Sequence, residues 1–217
     1  MNPRGLFITV EGGEGVGKST NIAFIRQQLD AAGVELVVTR EPGGTSLGEE
    51  LRTLLLEVRD GGIGAMAELL LIFAARAQHI EEVIEPSLAA GRWVLCDRFT
   101  DATYAYQCGG RGLDSEAVAT LETLVQGTLM PDCTLLLDAP VDTGMSRIQD
   151  RGELDRFERE ELAFFERVRA SYHQLASNSS GRYRIIDASQ PLEAVQRQLL
   201  QVCEELVACW GVRHQQP

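Results

Sequence analysis

The sequence predicts an α/β fold, a five-stranded parallel sheet with helices on both faces. Two observations carry this. Short apolar, β-branched runs at LFITV, VELVVT, RWVLCD, CTLLLD and YRIID alternate with longer stretches of helical periodicity. The first of these runs also leads directly into EGGEGVGKST, residues 11–20, a glycine cluster that opens a helix. Helical stretches are predicted near residues 18–32, 47–58, 65–90, 115–127, 141–150 and 158–177, and a last one follows Pro191. The length suits one domain over residues 1–217, with room for a small lid.

The glycine cluster fits Gly-x-x-x-x-Gly-Lys-Ser through Gly12, Gly17, Lys18 and Ser19, with Gly13, Glu14, Gly15, Val16 and Thr20 completing the loop. Strand, glycine turn and helix start form a phosphate cradle, in which backbone N–H groups turn inward and the helix dipole adds to them. Lys18 can reach the β and γ phosphates of a bound nucleotide, and the Ser19 hydroxyl can hold Mg²⁺. Lys18 is the only lysine; the other nineteen of the 20 Lys+Arg are arginine. A compact point charge is kept where arginine's planar fork would fit poorly.

In such a sheet the ligand sits at the carboxyl ends of the strands. TREPGGT follows the second strand, DRFTDATYAYQ the third, and RIQDRGELDRFERE the helix after the fourth. Asp97 ends the third strand as an acidic partner for Mg²⁺, with Arg98 beside it as a phosphate ligand. With one lysine, no Asn-Lys-x-Asp guanine-reading motif exists, which disfavours a GTPase.

Composition excludes other classes. The formal charge of −12 argues against a nucleic-acid polymer as partner. The five cysteines show no CxxC, and with three scattered histidines no zinc spacing occurs. The N-terminus lacks a signal-peptide core, and AMAELLLIFAA is too short for a bilayer and carries a glutamate, so a cytoplasmic protein without membrane partner is expected.

Taken together, EGGEGVGKST, TREPGGT, FAARAQH, DRFTDATYAYQ with the following GGRG, and RGELDRFE resemble the bacterial type of thymidylate kinase over nearly the whole chain. The resemblance implies transfer of the ATP γ-phosphoryl group to dTMP, in a P-loop nucleoside monophosphate kinase fold with a short lid, in a homodimer. It places the arginine for the transferring group in the lid, about residues 147–156, because the loop carries Glu14 and no arginine. Arg151 is the first choice, with Arg147 and Arg156 as alternates. It further implies that Arg40 binds the dTMP phosphate and that the Glu41–Pro42 bond is cis. Phe73 stacks on thymine in this reading and Arg76 bonds the base edge. Glu14 meets the sugar 3′-hydroxyl or the metal shell, and Thr103, Tyr106 and Gln107 contact base and sugar. Ala102 and Cys108 depart from the serine and glycine common at those places. The rivals are a P-loop kinase acting on another nucleoside monophosphate or a small alcohol, and a nucleotide-binding module that transfers nothing.

Overall fold

The computed structural model describes residues 4–149, 155–179 and 181–214. The sheet has five strands, β1 (Phe7–Glu11), β2 (Leu36–Arg40), β3 (Trp93–Asp97), β4 (Cys133–Asp138) and β5 (Tyr183–Asp187). All pairs are parallel and the order is β2-β3-β1-β4-β5. The five predicted runs thus fall within about two residues of the strands. β1 is central, with Ile8 opposite Leu95 on one side and Cys133 on the other. Its carboxyl end is where the strand order reverses, the crevice in which open α/β sheets bind ligands.

Both faces of the sheet are covered. On one, Ile8, Val10, Leu95, Leu135 and Leu137 pack against Ile22, Ile25 and Leu29 of α1 (Lys18–Ala31) and against Val195, Leu199 and Val202 of α9 (Leu192–His214). On the other, Phe7, Val94 and Cys96 meet Ile80, Ile84 and Leu88. Burying each large side chain contributes about 1.5–3 kcal/mol, so the strand ends stand on a dense base. The long predicted helix at 65–90 is continuous but heterogeneous: α3 (Ala65–His79) runs through a π-helical stretch, Ile80–Ile84, into α4 (Glu85–Ala89). Helices α2 (Ser46–Leu56), α6 (Ser115–Gln126), α7 (Val141–Gln149) and α8 (Leu162–Asn178) match the other predicted stretches. α8 starts four residues late because Asp155 Oδ1 accepts from the N–H groups of Phe157 and Glu158 at 2.8 and 2.9 Å, folding that stretch into turns.

One element was not predicted. After β3 the chain enters α5 (Thr100–Thr103) and continues as a π-helix, Tyr104–Gly110. Such widened turns occur frequently at functional sites, and this one lies along the crevice.

Candidate active site

The crevice holds a cavity of about 460 Å³ that runs from the phosphate loop to the side of α3. At the loop end Gly12, Gly15 and Gly17 have φ of 138°, 69° and 86°, which glycine adopts at little cost. Gly17 caps α1 without a side-chain hydrogen bond, so the first N–H groups of that helix are left for an anion. Lys18 Nζ lies back over the loop, donating to the carbonyls of Gly13 at 2.8 Å and Gly12 at 3.2 Å. Burial, then the charge of Arg98, lowers its pKa. Gly15, Gly17, Lys18, Ser19 and Thr20 line the cavity, whereas Gly12, Gly13 and Val16 line a separate niche of about 20 Å³ beside β4.

Arg98 has the one positive φ of a non-glycine residue among those described, 69°. Its side chain is fixed: Nη2 donates to Glu14 Oε1 at 2.6 Å and to the Tyr106 hydroxyl at 2.8 Å, and Nη1 donates to the Tyr172 hydroxyl at 3.2 Å. Tyr106 in turn donates to Glu14 at 2.8 Å. Behind this cluster Glu11, fully buried at the end of β1, accepts from the Phe99 N–H at 2.7 Å and from Tyr172 at 2.8 Å. Arg40 lies at the cavity edge, half-exposed, with Nη2 2.7 Å from Glu49 Oε2.

At the far end Arg76 is 1% exposed, and its Nε donates to Glu41 Oε2 at 2.7 Å and its Nη2 to Thr103 Oγ1 at 2.9 Å. The structure brings Arg76, Thr103, Tyr106 and Gln107 to the cavity wall together. It does not bring Phe73 there: that ring packs with Leu69 and Val118 and backs the Arg76 guanidinium at 4.7 Å, while Ile72 lines the cavity. The Glu41–Pro42 bond is cis.

The three arginines expected in a lid divide. Arg147 lines the cavity on the phosphate side, with Nη1 3.3 Å from the Ala188 carbonyl. Arg156 is held at the opposite end of α2: Nε donates to the Leu55 carbonyl at 2.7 Å, its backbone N–H to Leu56 at 3.2 Å, and Nη2 lies 2.6 Å from the fully buried Glu68. Arg151 lies outside the described residues.

The chain resembles known proteins over most of its length. The family model for thymidylate kinase matches residues 10–199. The chain is 59% identical over 195 residues to the thymidylate kinase of Pseudomonas savastanoi pv. phaseolicola, covering 90% of this chain and 93% of that one. It is 56% identical over 200 residues to that of Teredinibacter turnerae, covering 92% and 98%. The chain belongs to the thymidylate kinase family. The fold agrees as well: a crystal structure of thymidylate kinase from Ehrlichia chaffeensis matches with a TM-score of 0.75 at 32% identity, over 94% of this chain and all of that one.

Within this thymidylate kinase fold, the structure adds residues that the sequence reading passed over. Arg52 on α2 lines the cavity beside Arg40 and donates to the Pro42 carbonyl at 3.0 Å; burial and then Arg40 lower its pKa. Asp155, Phe157 and Glu158 line the cavity from the chain leading to α8. Glu68 gathers Gln107, Arg111 and Arg156 around one buried carboxylate. A metal also fits beside the phosphate loop. Asp97 Oδ1 is buried without a hydrogen-bond partner, an acceptor left for a cation or its water, and Ser19 lines the same cavity. No cluster of three or more His, Cys, Asp or Glu with metal geometry occurs among the described residues. Asp97 and Ser19 offer the one or two protein oxygens that a Mg²⁺ ion takes when phosphate oxygens and water fill the rest of its shell.

Proposed function

We infer that this chain catalyses ATP-dependent phosphorylation of dTMP to dTDP. The observation that carries the reading is a single cavity with phosphate-binding groups at one end and one fixed, buried arginine at the other. A phosphate oxygen of dTMP attacks the γ-phosphorus of ATP, the bond from that phosphorus to the β-bridging oxygen breaks, and ADP leaves with its electron pair.

Each step gives the chain's residues a task. The loop from Gly12 to Thr20 holds the ATP phosphates by its N–H groups, and Lys18 leaves its two carbonyls to meet the β and γ oxygens, where charge shifts as the bond breaks. Ser19 and Asp97 would hold Mg²⁺, which when bound would neutralise phosphate charge. Arg40, Arg52 and Arg98 hold the dTMP phosphate in line; Arg98, fixed by Glu14 and the two tyrosines, reaches both substrates. Glu14 and Tyr106 meet the deoxyribose, where the bulk of Tyr106 excludes a 2′-hydroxyl. Arg76, Thr103 and Gln107 contact the base, and Phe73 acts from behind through Arg76. Arg147 and Arg151 stabilise the transferring group from the lid, while the mooring of Arg156 supports a role in holding the lid's far end.

A homodimer fits the apolar side chains left on the outer face of α3. Met66 and Leu70, one helical turn apart, are 47% and 51% exposed. No helix of the described residues is long and apolar enough to cross a membrane, and we place the chain in the cytoplasm.

Coupled measurement of ADP release with dTMP, dUMP, AMP and CMP tests the reading. The expected order puts dTMP first by kcat/KM. Preference for a purine nucleotide, or ATP binding with no transfer to any acceptor, would overturn it.

A further inference from the structure

The surroundings of Arg76 account for all its hydrogen-bonding nitrogens but one. Glu41 takes Nε, Thr103 takes Nη2, and the rings of Phe73 and Phe99 lie 4.7 and 5.0 Å from the guanidinium carbon. Nη1 is buried and has no hydrogen-bond partner. Because Arg76 lines the cavity, this nitrogen is a donor held in reserve for something that enters it. A donor that the protein leaves without a partner on a cavity wall favours an entering ligand that supplies an acceptor.

Glu41 is itself held. Its Oε1 lies 2.9 Å from His79 Nδ1, and His79 Nε2 lies 2.7 Å from Thr39 Oγ1. His79 is fully buried and Glu41 is 4% exposed. The carboxylate accepts only, so Nδ1 carries the proton, and Nε2 then accepts from the Thr39 hydroxyl. The result is a line of hydrogen bonds, Thr39–His79–Glu41–Arg76–Thr103, that crosses from β2 through α3 to α5. Its closeness is enforced at Gly44, where a Cβ would come within 2.6 Å of both His79 Nε2 and Thr39 Oγ1.

The division of Glu41 between two partners is what matters. A carboxylate beside a guanidinium tends to pair with it bidentately. His79 holds one oxygen of Glu41 and so keeps the contact with Arg76 to Nε, leaving Nη2 to Thr103 and Nη1, on the other side of the guanidinium, to the ligand. We propose that His79 and Glu41 are positioning residues that set base selectivity, fixing Arg76 so that Nη1 presents donors to a ring carbonyl and rejects a ring amino group at the same place. This rests on the reading above that Arg76 contacts the base.

The test compares His79→Leu with His79→Asn, whose amide nitrogen can occupy the place of Nδ1 and still donate to Glu41. Steady-state constants are measured for dTMP, dCMP, which has an amino group where thymine has a carbonyl, and ATP. His79→Leu should raise KM for dTMP about tenfold and cut the dTMP-to-dCMP ratio of kcat/KM by a similar factor, the size of one weakened charge-assisted hydrogen bond; KM for ATP should stay within about twofold, and His79→Asn should recover most of the ratio. An unchanged ratio in His79→Leu, equal damage to ATP and dTMP, or no recovery with asparagine would overturn the proposal. If His79→Leu does not fold, His79→Gln carries the test, because its longer amide reaches toward Thr39 and loses Glu41; a parental ratio there overturns it equally. A parent enzyme with no preference for dTMP over dCMP would instead remove the functional reading on which the proposal rests.

Discussion

Replacing Glu11 with glutamine isolates the carboxyl whose surroundings most oppose its charge. Burial, then the neighbouring charge of Asp101, raises its pKa from 4.5 to about 8, while Arg98, Tyr172 and the Phe99 N–H pull the other way. The folded state therefore binds this proton more tightly than the unfolded chain. The contribution to stability is full below pH 4.5, declines as pH rises, and is gone above about 8. Within that window each pH unit corresponds to about 1.4 kcal/mol. Between about pH 6 and about pH 8 the parent should lose roughly 2–3 kcal/mol through this group. Glutamine keeps the shape: its carbonyl can accept from Phe99 and its amide can donate to Tyr172, as the protonated acid would. Urea unfolding of parent and Glu11→Gln at several pH values across this range, with the two curves subtracted, removes what other groups contribute. The difference should grow with pH in favour of the variant and then level off. A flat difference, or one that grows in favour of the parent, would refute the reasoning.

Three further outcomes follow from the contacts of single residues. Lys18→Ala should melt close to the parent but lose turnover by about a hundredfold or more, because its charge acts on the phosphates; Lys18→Arg should also be poor, and a folded variant with near-parental turnover would refute the assignment. Gly144→Ala on α7 would bring a Cβ to 2.3 Å from the Glu14 carbonyl oxygen, so it should cost about 1–3 kcal/mol in thermal unfolding and raise KM for ATP, and parental values for both would show that the loop gives way freely. Arg156→Ala should lower stability by about 1–3 kcal/mol, since Glu68 keeps Arg111 and Gln107; a large loss of kcat with an unchanged melting curve would return Arg156 to the chemistry.

The strands and the phosphate loop were legible because their signals are local. A β-branched run that ends in a glycine cluster needs no distant partner to declare itself. The π-helix at Tyr104–Gly110 was not, since its composition is mixed, two glycines close it, and widened turns blur the helical period. Arg52 carries no mark in sequence that separates it from a solvated arginine on an amphipathic helix; only the fold brings it to the cavity wall, beside Arg40 and the Pro42 carbonyl. Glu68 did leave a signal, a single carboxylate within AMAELLLIFAAR, which served only to argue against a membrane span. A buried carboxylate in an apolar helix calls for cationic partners, and the structure meets that demand with Arg111 and Arg156. In RIQDRGELDR the sequence put Arg151 first and left Arg147 and Arg156 as equal alternates, because only the fold separates Arg147, on the phosphate side, from Arg156, on the α2 side.

The left-handed backbone of Arg98 sets two demands at one position. At φ 69° the chain asks for glycine or asparagine, and an arginine there costs on the order of 1 kcal/mol. The cavity asks for a guanidinium within reach of Glu14, Tyr106 and Tyr172. The flanking bonds, Arg98 N–H to the Val10 carbonyl and Phe99 N–H to Glu11, hold the turn against its own preference. Relaxing the turn to glycine would regain that strain but give up three side-chain hydrogen bonds, so selection for thermal resistance and selection for turnover both keep a residue that the backbone alone would not choose.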